Sequence, residues 1–143
     1  MANYSSGTFR PKHPEKYVGN HAPHWRSSWE MTFMMFLDNH PSVMQWASES
    51  IRIPYRNPFN GKNTTYVPDF FIVYQDANGQ NHAELIEIKP SKEATMEAAK
   101  NARDKAVVAL NFAKWQAARA FCSNKNITFR IVTERDLFRG TKR

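Results

Sequence analysis

The sequence predicts an α/β (α+β) fold built as one helix, three strands, a long helix and a final strand, in the order α-β-β-β-α-β. Three observations predict it. Trp29, Phe33, Phe36 and Leu37 recur at helical spacing. Two aromatic and aliphatic runs, Tyr66 to Gln75 and Ala83 to Lys89, flank the strong turn sequence Asp76-Ala77-Asn78-Gly79. Met96, Ala99, Val107, Leu110, Ala113, Ala117 and Phe121 then supply the apolar stripe of a long helix. The length, 143 residues, suits one domain able to bury its own core.

Residues 1–24 have neither helical nor strand periodicity, and carry Pro11, Pro14 and Pro23 with Arg10, Lys12 and Lys16. They are expected to form a basic, surface-draped arm preceding a domain that spans 25–143. The first helix runs from about Ser28 to Asn39, capped by Ser27 or Ser28 and stopped by His40-Pro41. Ile51, Ile53 and Tyr55 alternate with Ser50 and Arg52, which predicts a first strand ended by Pro54 to Pro58. The hairpin strands follow, Pro90-Ser91 closes them, and the long helix is expected over about Thr95 to Ser123. Ile127 to Thr133 is a last strand, with a short terminal helix over Glu134 to Arg139.

Twenty Lys and Arg stand against thirteen Asp and Glu, a net charge of +7. Such an excess on a small chain favours a polyanionic partner, nucleic acid before an anionic membrane surface. No apolar run is long enough to span a bilayer, so no membrane association is expected, and Met1 to Gly19 lacks the apolar core of a secretory signal. One cysteine, Cys122, allows no internal disulfide and reads as a small buried hydrophobe.

One constellation carries chemistry. Val67-Pro68-Asp69 opens the second strand and Glu87-Ile88-Lys89 ends the third, eighteen residues from acid to acid. Two carboxylates can bind a hard divalent cation that activates water against a phosphodiester, with a lysine two positions along the same strand face. Register decides whether this site exists. A two-residue Asn78-Gly79 turn sets Asp69 opposite Ile88 and turns Glu87 to the other face. A three-residue Ala77-Asn78-Gly79 loop, with Gly79 left-handed, pairs Asp76 with Gln80 and brings Asp69 opposite Glu87. The same parity sends Glu84 to the opposite face. An exposed cross-strand ion-pair cluster is the competing reading, and mutual repulsion of the two acids argues against it.

Tyr66-Val67-Pro68-Asp69 with Glu87-Ile88-Lys89, in α-β-β-β-α-β order, resembles the PD-(D/E)XK nuclease superfamily. That resemblance implies a restriction-endonuclease-like core with a central mixed sheet flanked by helices. It implies Mg²⁺ as cofactor, with Mn²⁺ as a substitute ion. Asp69, Glu87 and the Ile88 carbonyl would hold the metal, and Lys89 would position or activate the attacking water. Glu30 matches the glutamate that the superfamily often places on its first helix, as a further metal ligand or support. Trp29-Glu30 to Pro41, Tyr66 to Lys89, and Lys114-Trp115 through Glu134 resemble Tn7-type transposon endonuclease subunits. The whole chain resembles the head-completion nucleases of T-even-type bacteriophages, which implies endonuclease and exonuclease activity at head–tail joining. Head and neck proteins would then be partners, and the host cytoplasm, at the assembling virion, the location. The alternative from another class is a basic structural plug of the capsid neck that binds DNA without cutting it.

No base-reading motif is visible, so DNA recognition should rest on phosphates and shape. Lys92, Lys114 and Arg119 are the candidate DNA contacts, Lys92 because it lies just beyond the motif strand. Lys100, Arg103 and Lys105 read as a solvated face, partly offset by Glu93, Glu97 and Asp104. His21 and His24 lack a third ligand and read as surface histidines of the arm.

Overall fold

In the computed structural model, which describes residues 6–95 and 99–140, short strands β1 (Gly7–Thr8) and β2 (His24–Trp25) precede helix α1 (Ser28–Asn39). Then come β3 (Val43–Ser48), β4 (Ile53–Arg56), β5 (Asn63–Tyr66), β6 (Phe70–Gln75) and β7 (Asn81–Ile88). Helix α2 (Ala102–Cys122), strand β8 (Ile127–Val132) and helix α3 (Glu134–Gly140) complete the chain, with 3-10 turns at Pro14–Lys16 and Ser91–Glu93. The central sheet has the order β3-β6-β7-β8, antiparallel at its first two junctions and parallel between β7 and β8. Its α-β-β-β-α-β order and mixed sheet are those of the restriction-endonuclease-like fold. The parallel junction follows from α2, a crossover that returns the chain to the same end of the sheet.

Each sheet face has its own core. On one side Phe33, Met34 and Leu37 of α1 pack on Trp46, Phe70, Ile72, Ile86 and Ile88, with Leu137 of α3. On the other, Trp115, Ala118 and Cys122 of α2 pack on Leu85 and Phe129, joined by Ile53 and Tyr66. Ser27 caps α1, its side chain accepting from the Glu30 amide, and His40 ends the helix ahead of Pro41. Phe36, expected on the buried stripe, is turned outward, and Met34 takes the buried place.

The first sheet strand differs from the expected one. Ile53–Arg56 is a strand, but it pairs only with Asn63–Tyr66 in a separate hairpin. The sheet strand is Val43–Ser48, whose pairing with β6 shifts register between Val43 and Gln45. That irregularity destroys the alternation by which a strand is read, although Trp46 at its centre is fully buried. The single expected run from Tyr66 to Gln75 is also split. Tyr66 closes β5, and β6 starts at Phe70, after Pro68, which has no amide to donate to a ladder.

Helix α2 starts at Ala102, not near Thr95, because Asn101 caps it by accepting from the Asp104 amide. Met96 and Glu97, placed on that helix from the sequence, lie outside the described residues. The buried stripe is Val108, Asn111, Trp115, Ala118 and Cys122, one residue removed from the expected series. Asn111 explains the offset: it is polar yet buried, donating its side-chain amide to the Glu93 carbonyl at 3.0 Å.

The arm is held at several points. The buried Asp38 carboxylate accepts from the Lys12 and His13 amides at 2.8 and 3.0 Å. Lys16 Nζ donates to the Asp38 and His40 carbonyls, and Tyr17 bridges to Trp46.

The β6–β7 turn takes the three-residue form. The Asp76 amide donates to the Gln80 carbonyl, the Gly79 amide to the Asp76 carbonyl, and Gly79 has φ +82°. The Asp76 side chain also accepts from the Asn78 and Gln80 amides. A Cβ at Gly79 would meet nothing within 4 Å, so only backbone strain opposes a side chain there. Gly79→Ala is therefore expected to lower stability by about 1 kcal/mol. Urea unfolding should show this as a lower midpoint with unchanged slope.

Candidate active site

Phe70 pairs with Ile86, so one further step of the same ladder sets Asp69 opposite Glu87. The two acids and Lys89 point to the face covered by α2, the face of Leu85 and Tyr66. Glu84 is on the other face, bonded to Tyr74 and Arg130, as strand parity requires. Asp69 is half-buried; its carboxylate accepts from the Ile88 amide at 2.8 Å, and its carbonyl accepts from the Glu49 amide. Glu87 is only 5% exposed. One of its oxygens accepts from the Tyr66 hydroxyl at 2.7 Å, and the other lies 3.7 Å from Lys89 Nζ. Lys89 Nζ also lies 3.9 Å from Glu93.

The electrostatics are those of crowded acids. Burial, then the charges of Glu87 and Glu30, pushes Asp69 well above the usual carboxylate range. Glu87 is raised by burial, against the lowering effect of Lys89, Tyr66 and Lys114. Glu30, half-buried on α1, is raised by burial and by Glu49, against the Arg26 amide that donates to it at 3.0 Å. Glu30 thus lies within electrostatic reach of Asp69.

Of the three candidate DNA contacts, the structure brings one into this group. Lys114, half-buried on α2, sets its ammonium 5.8 Å above the Tyr66 ring and acts electrostatically on Glu87. Lys92 is exposed in the 3-10 turn just past β7. Arg119 is exposed farther along α2, with its guanidinium over the Phe129 ring at 5.5 Å.

No local sequence pattern points to Glu49 or Arg26. Glu49, at the end of β3, holds a positive φ of 48°. It binds Arg26 through both oxygens at 2.9 and 3.2 Å, while His21 touches its carbonyl. Arg26 and Glu49 border a polar cavity of about 430 Å³ with Asn20, His21, Arg52 and Val67. Tyr66 stood inside the motif, but its hydroxyl contact to Glu87 depends on the break at Pro68, which no periodicity signals.

Among the described residues, no three His, Cys, Asp or Glu side chains form a ready-made metal cage. The facing carboxylates nevertheless fit a hard divalent ion. They are oxygen donors drawn out of water, and burial, joined at Asp69 by neighbouring acids, raises a proton affinity that a cation would relieve.

A helix-flanked mixed sheet, with an aspartate facing the glutamate of a Glu-x-Lys strand, defines a nuclease of restriction-endonuclease-like architecture. Residues 40–134 match the family model described as the TnsA-like endonuclease N-terminal domain. The head completion nuclease of Enterobacteria phage T4 is 35% identical over 140 residues, covering 90% of this chain and 91% of that protein. The chain belongs to the TnsA-like endonuclease family. It is a nuclease; nucleases of this kind act on DNA and depend on divalent metal. No helix among the described residues is long and apolar enough to cross a membrane.

The raised acids set a sign for pH dependence. A carboxyl whose pKa is higher folded than unfolded binds more protons in the folded state, so stability falls as pH rises through that interval. Metal-free protein in EDTA should therefore melt at a lower temperature at pH 8 than at pH 5.5. His21, raised by its two carbonyl partners, acts in the same direction, whereas Asp76 and Glu134 are lowered and act at the acid end. Asp69→Asn keeps an acceptor for the Ile88 amide and removes the buried charge. It should flatten the slope, as measured by thermal melts at both pH values.

Proposed function

We propose that this protein is a Mg²⁺-dependent DNA endonuclease, with exonuclease activity at ends, acting in phage head completion and head–tail joining. One observation carries the chemical reading: Asp69 and Glu87 face each other on adjacent strands with Lys89 beside Glu87. The likeness to the T4 head completion nuclease supports the biological setting. In this reading residues 25–143 are the nuclease domain and 1–24 a basic arm. The site of action is the host cytoplasm, and the protein partners are head and neck components of the assembling virion.

Asp69 and Glu87, with the Ile88 carbonyl, are the residues that would hold Mg²⁺, and Mn²⁺ suits the same oxygen donors. Glu30 supports that set from α1, as a further ligand or as an orienting charge. A bound ion supplies Lewis acidity at the scissile phosphate and lowers the pKa of the attacking water. The protein does the rest. The Ile88 amide fixes the Asp69 carboxylate, and the Tyr66 hydroxyl fixes one oxygen of Glu87. Lys89 positions the water, whose oxygen attacks phosphorus as the bond to the departing oxygen breaks. Lys92, Lys114 and Arg119 contact the phosphate backbone. A plug that only bound DNA would have no use for two buried acids that repel each other.

Asp69→Ala and Glu87→Ala should each abolish Mg²⁺-dependent nicking of supercoiled plasmid while the proteins stay folded by circular dichroism. EDTA should abolish nicking by the wild type. Cleavage by folded Asp69→Ala protein would remove the metal site from the mechanism. DNA affinity in Ca²⁺ should be independent of sequence and fall linearly on a plot of log K against log salt. Tight binding to one sequence at high salt would contradict recognition through phosphates.

A further inference from the structure

Lys114 differs from the other cations of α2. Lys105 and Arg119 are exposed, whereas Lys114 is half-buried with its ammonium over the Tyr66 ring. Among the described residues, no carboxylate lies within ion-pair distance of its ammonium. Lys89, in contrast, stands between two acids, 3.7 Å from Glu87 and 3.9 Å from Glu93. The charge of Lys89 is thus largely balanced within the protein, and Lys114 is the cation acting on Glu87 that has no carboxylate at ion-pair distance among the described residues. A half-buried ammonium facing a second lysine is unfavourable by itself. Burial and Lys89 both weaken its hold on its proton. An anion entering between the two lysines relieves both costs.

We propose that Lys114 is a substrate-contacting residue of the active site, donating from α2 to the scissile phosphate of DNA opposite Lys89. The assignment rests on the nuclease reading of Asp69 and Glu87, and gives the phosphate a defined side of approach. Negative charge grows on the non-bridging oxygens and the departing oxygen as the phosphorus–oxygen bond breaks. A preorganised ammonium at that phosphate therefore acts more strongly in the transition state than on bound substrate. The half-buried side chain brings its ammonium over the Tyr66 ring, whose hydroxyl is bonded to Glu87, so the charge is held at the acid cluster.

The test compares plasmid nicking in Mg²⁺ by wild type, Asp69→Ala, Lys114→Met, Lys114→Arg and Lys105→Met. Methionine keeps an unbranched apolar side chain beside the Tyr66 ring and removes the charge. Lys114→Met should melt within a few degrees of wild type, with kcat lower by about 10²-fold and KM changed far less. Lys114→Arg should recover at least tenfold of that loss, and Lys105→Met should match wild type. The proposal is overturned if Lys114→Met keeps wild-type kcat, if its defect lies in KM alone, or if Arg restores nothing. Wild type that fails to nick, or an active Asp69→Ala protein, would instead remove the nuclease reading on which the proposal stands. If Lys114→Met proves unfolded, Lys114→Gln is measured under the same criteria. Failure of both to fold assigns Lys114 to packing and also overturns the proposal.

Discussion

The turn at Asp76 to Gly79 fixes which side chains meet eight residues away, because a strand has a period of two and a one-residue slip reverses every face. Gly79 accepts a φ of +82°, the Asp76 carboxylate gathers the Asn78 and Gln80 amides, and the ladder then runs without interruption to Phe70 and Ile86. Everything chemical lies at the far end of that ladder. Asp69, Glu87 and Lys89 share a face only in this register, and in it the aliphatic residues Leu85 and Ile86 reach their separate cores. Core packing and site geometry thus enforce the same pairing, so a slip would lose both at once.

Placing two carboxylates face to face is itself a destabilising choice. Two unit charges about 5 Å apart repel by about 3 kcal/mol at an effective dielectric of about 20. The surroundings divide this load without removing it. The Ile88 amide and the Tyr66 hydroxyl satisfy oxygens, Lys89 supplies charge, and both acids still hold their protons above the usual range. A site built only for stability would have replaced one acid by an apolar residue of similar size. The residual repulsion is the physical form of an affinity for cations.

Much of this was legible in the sequence, and the parts that were not share a cause. Helix α1, the β6–β7 hairpin and β8 announce themselves through simple period and turn chemistry. So does the face shared by Asp69 and Glu87, which needs only the loop length and strand parity. Strand β3 was hidden because its bulge between Val43 and Gln45 breaks the alternation. The face of α2 was misjudged because a buried asparagine, paired with a distant carbonyl, sits where an apolar residue was sought. Glu49 and Arg26 join the site through an ion pair between residues 23 apart, and no local pattern encodes that distance. Local rules reach local features; side chains that depend on tertiary partners escape them.

The family match begins at residue 40, yet α1, which carries Glu30, lies before it and packs its Phe33, Met34 and Leu37 into the core. The segment up to α1 is bound tightly to the rest, through the Asp38 carboxylate to the arm and through Arg26 to Glu49. Its effect on charge is asymmetric. On the α1 side of Asp69 the arginine is cancelled by its bidentate glutamate, and Glu30 adds a further negative charge nearby. On the α2 side Lys89 and Lys114 stand against Glu87 and Glu93, and Lys89 is the one held between the two acids. An anionic strand is repelled by the first side and meets on the second an ammonium, that of Lys114, with no carboxylate at ion-pair distance among the described residues. A cation is favoured where Glu30, Asp69 and Glu87 converge. The acid-rich side and the lysine-bearing side of Asp69 are therefore built by residues that come from three separate segments of the chain.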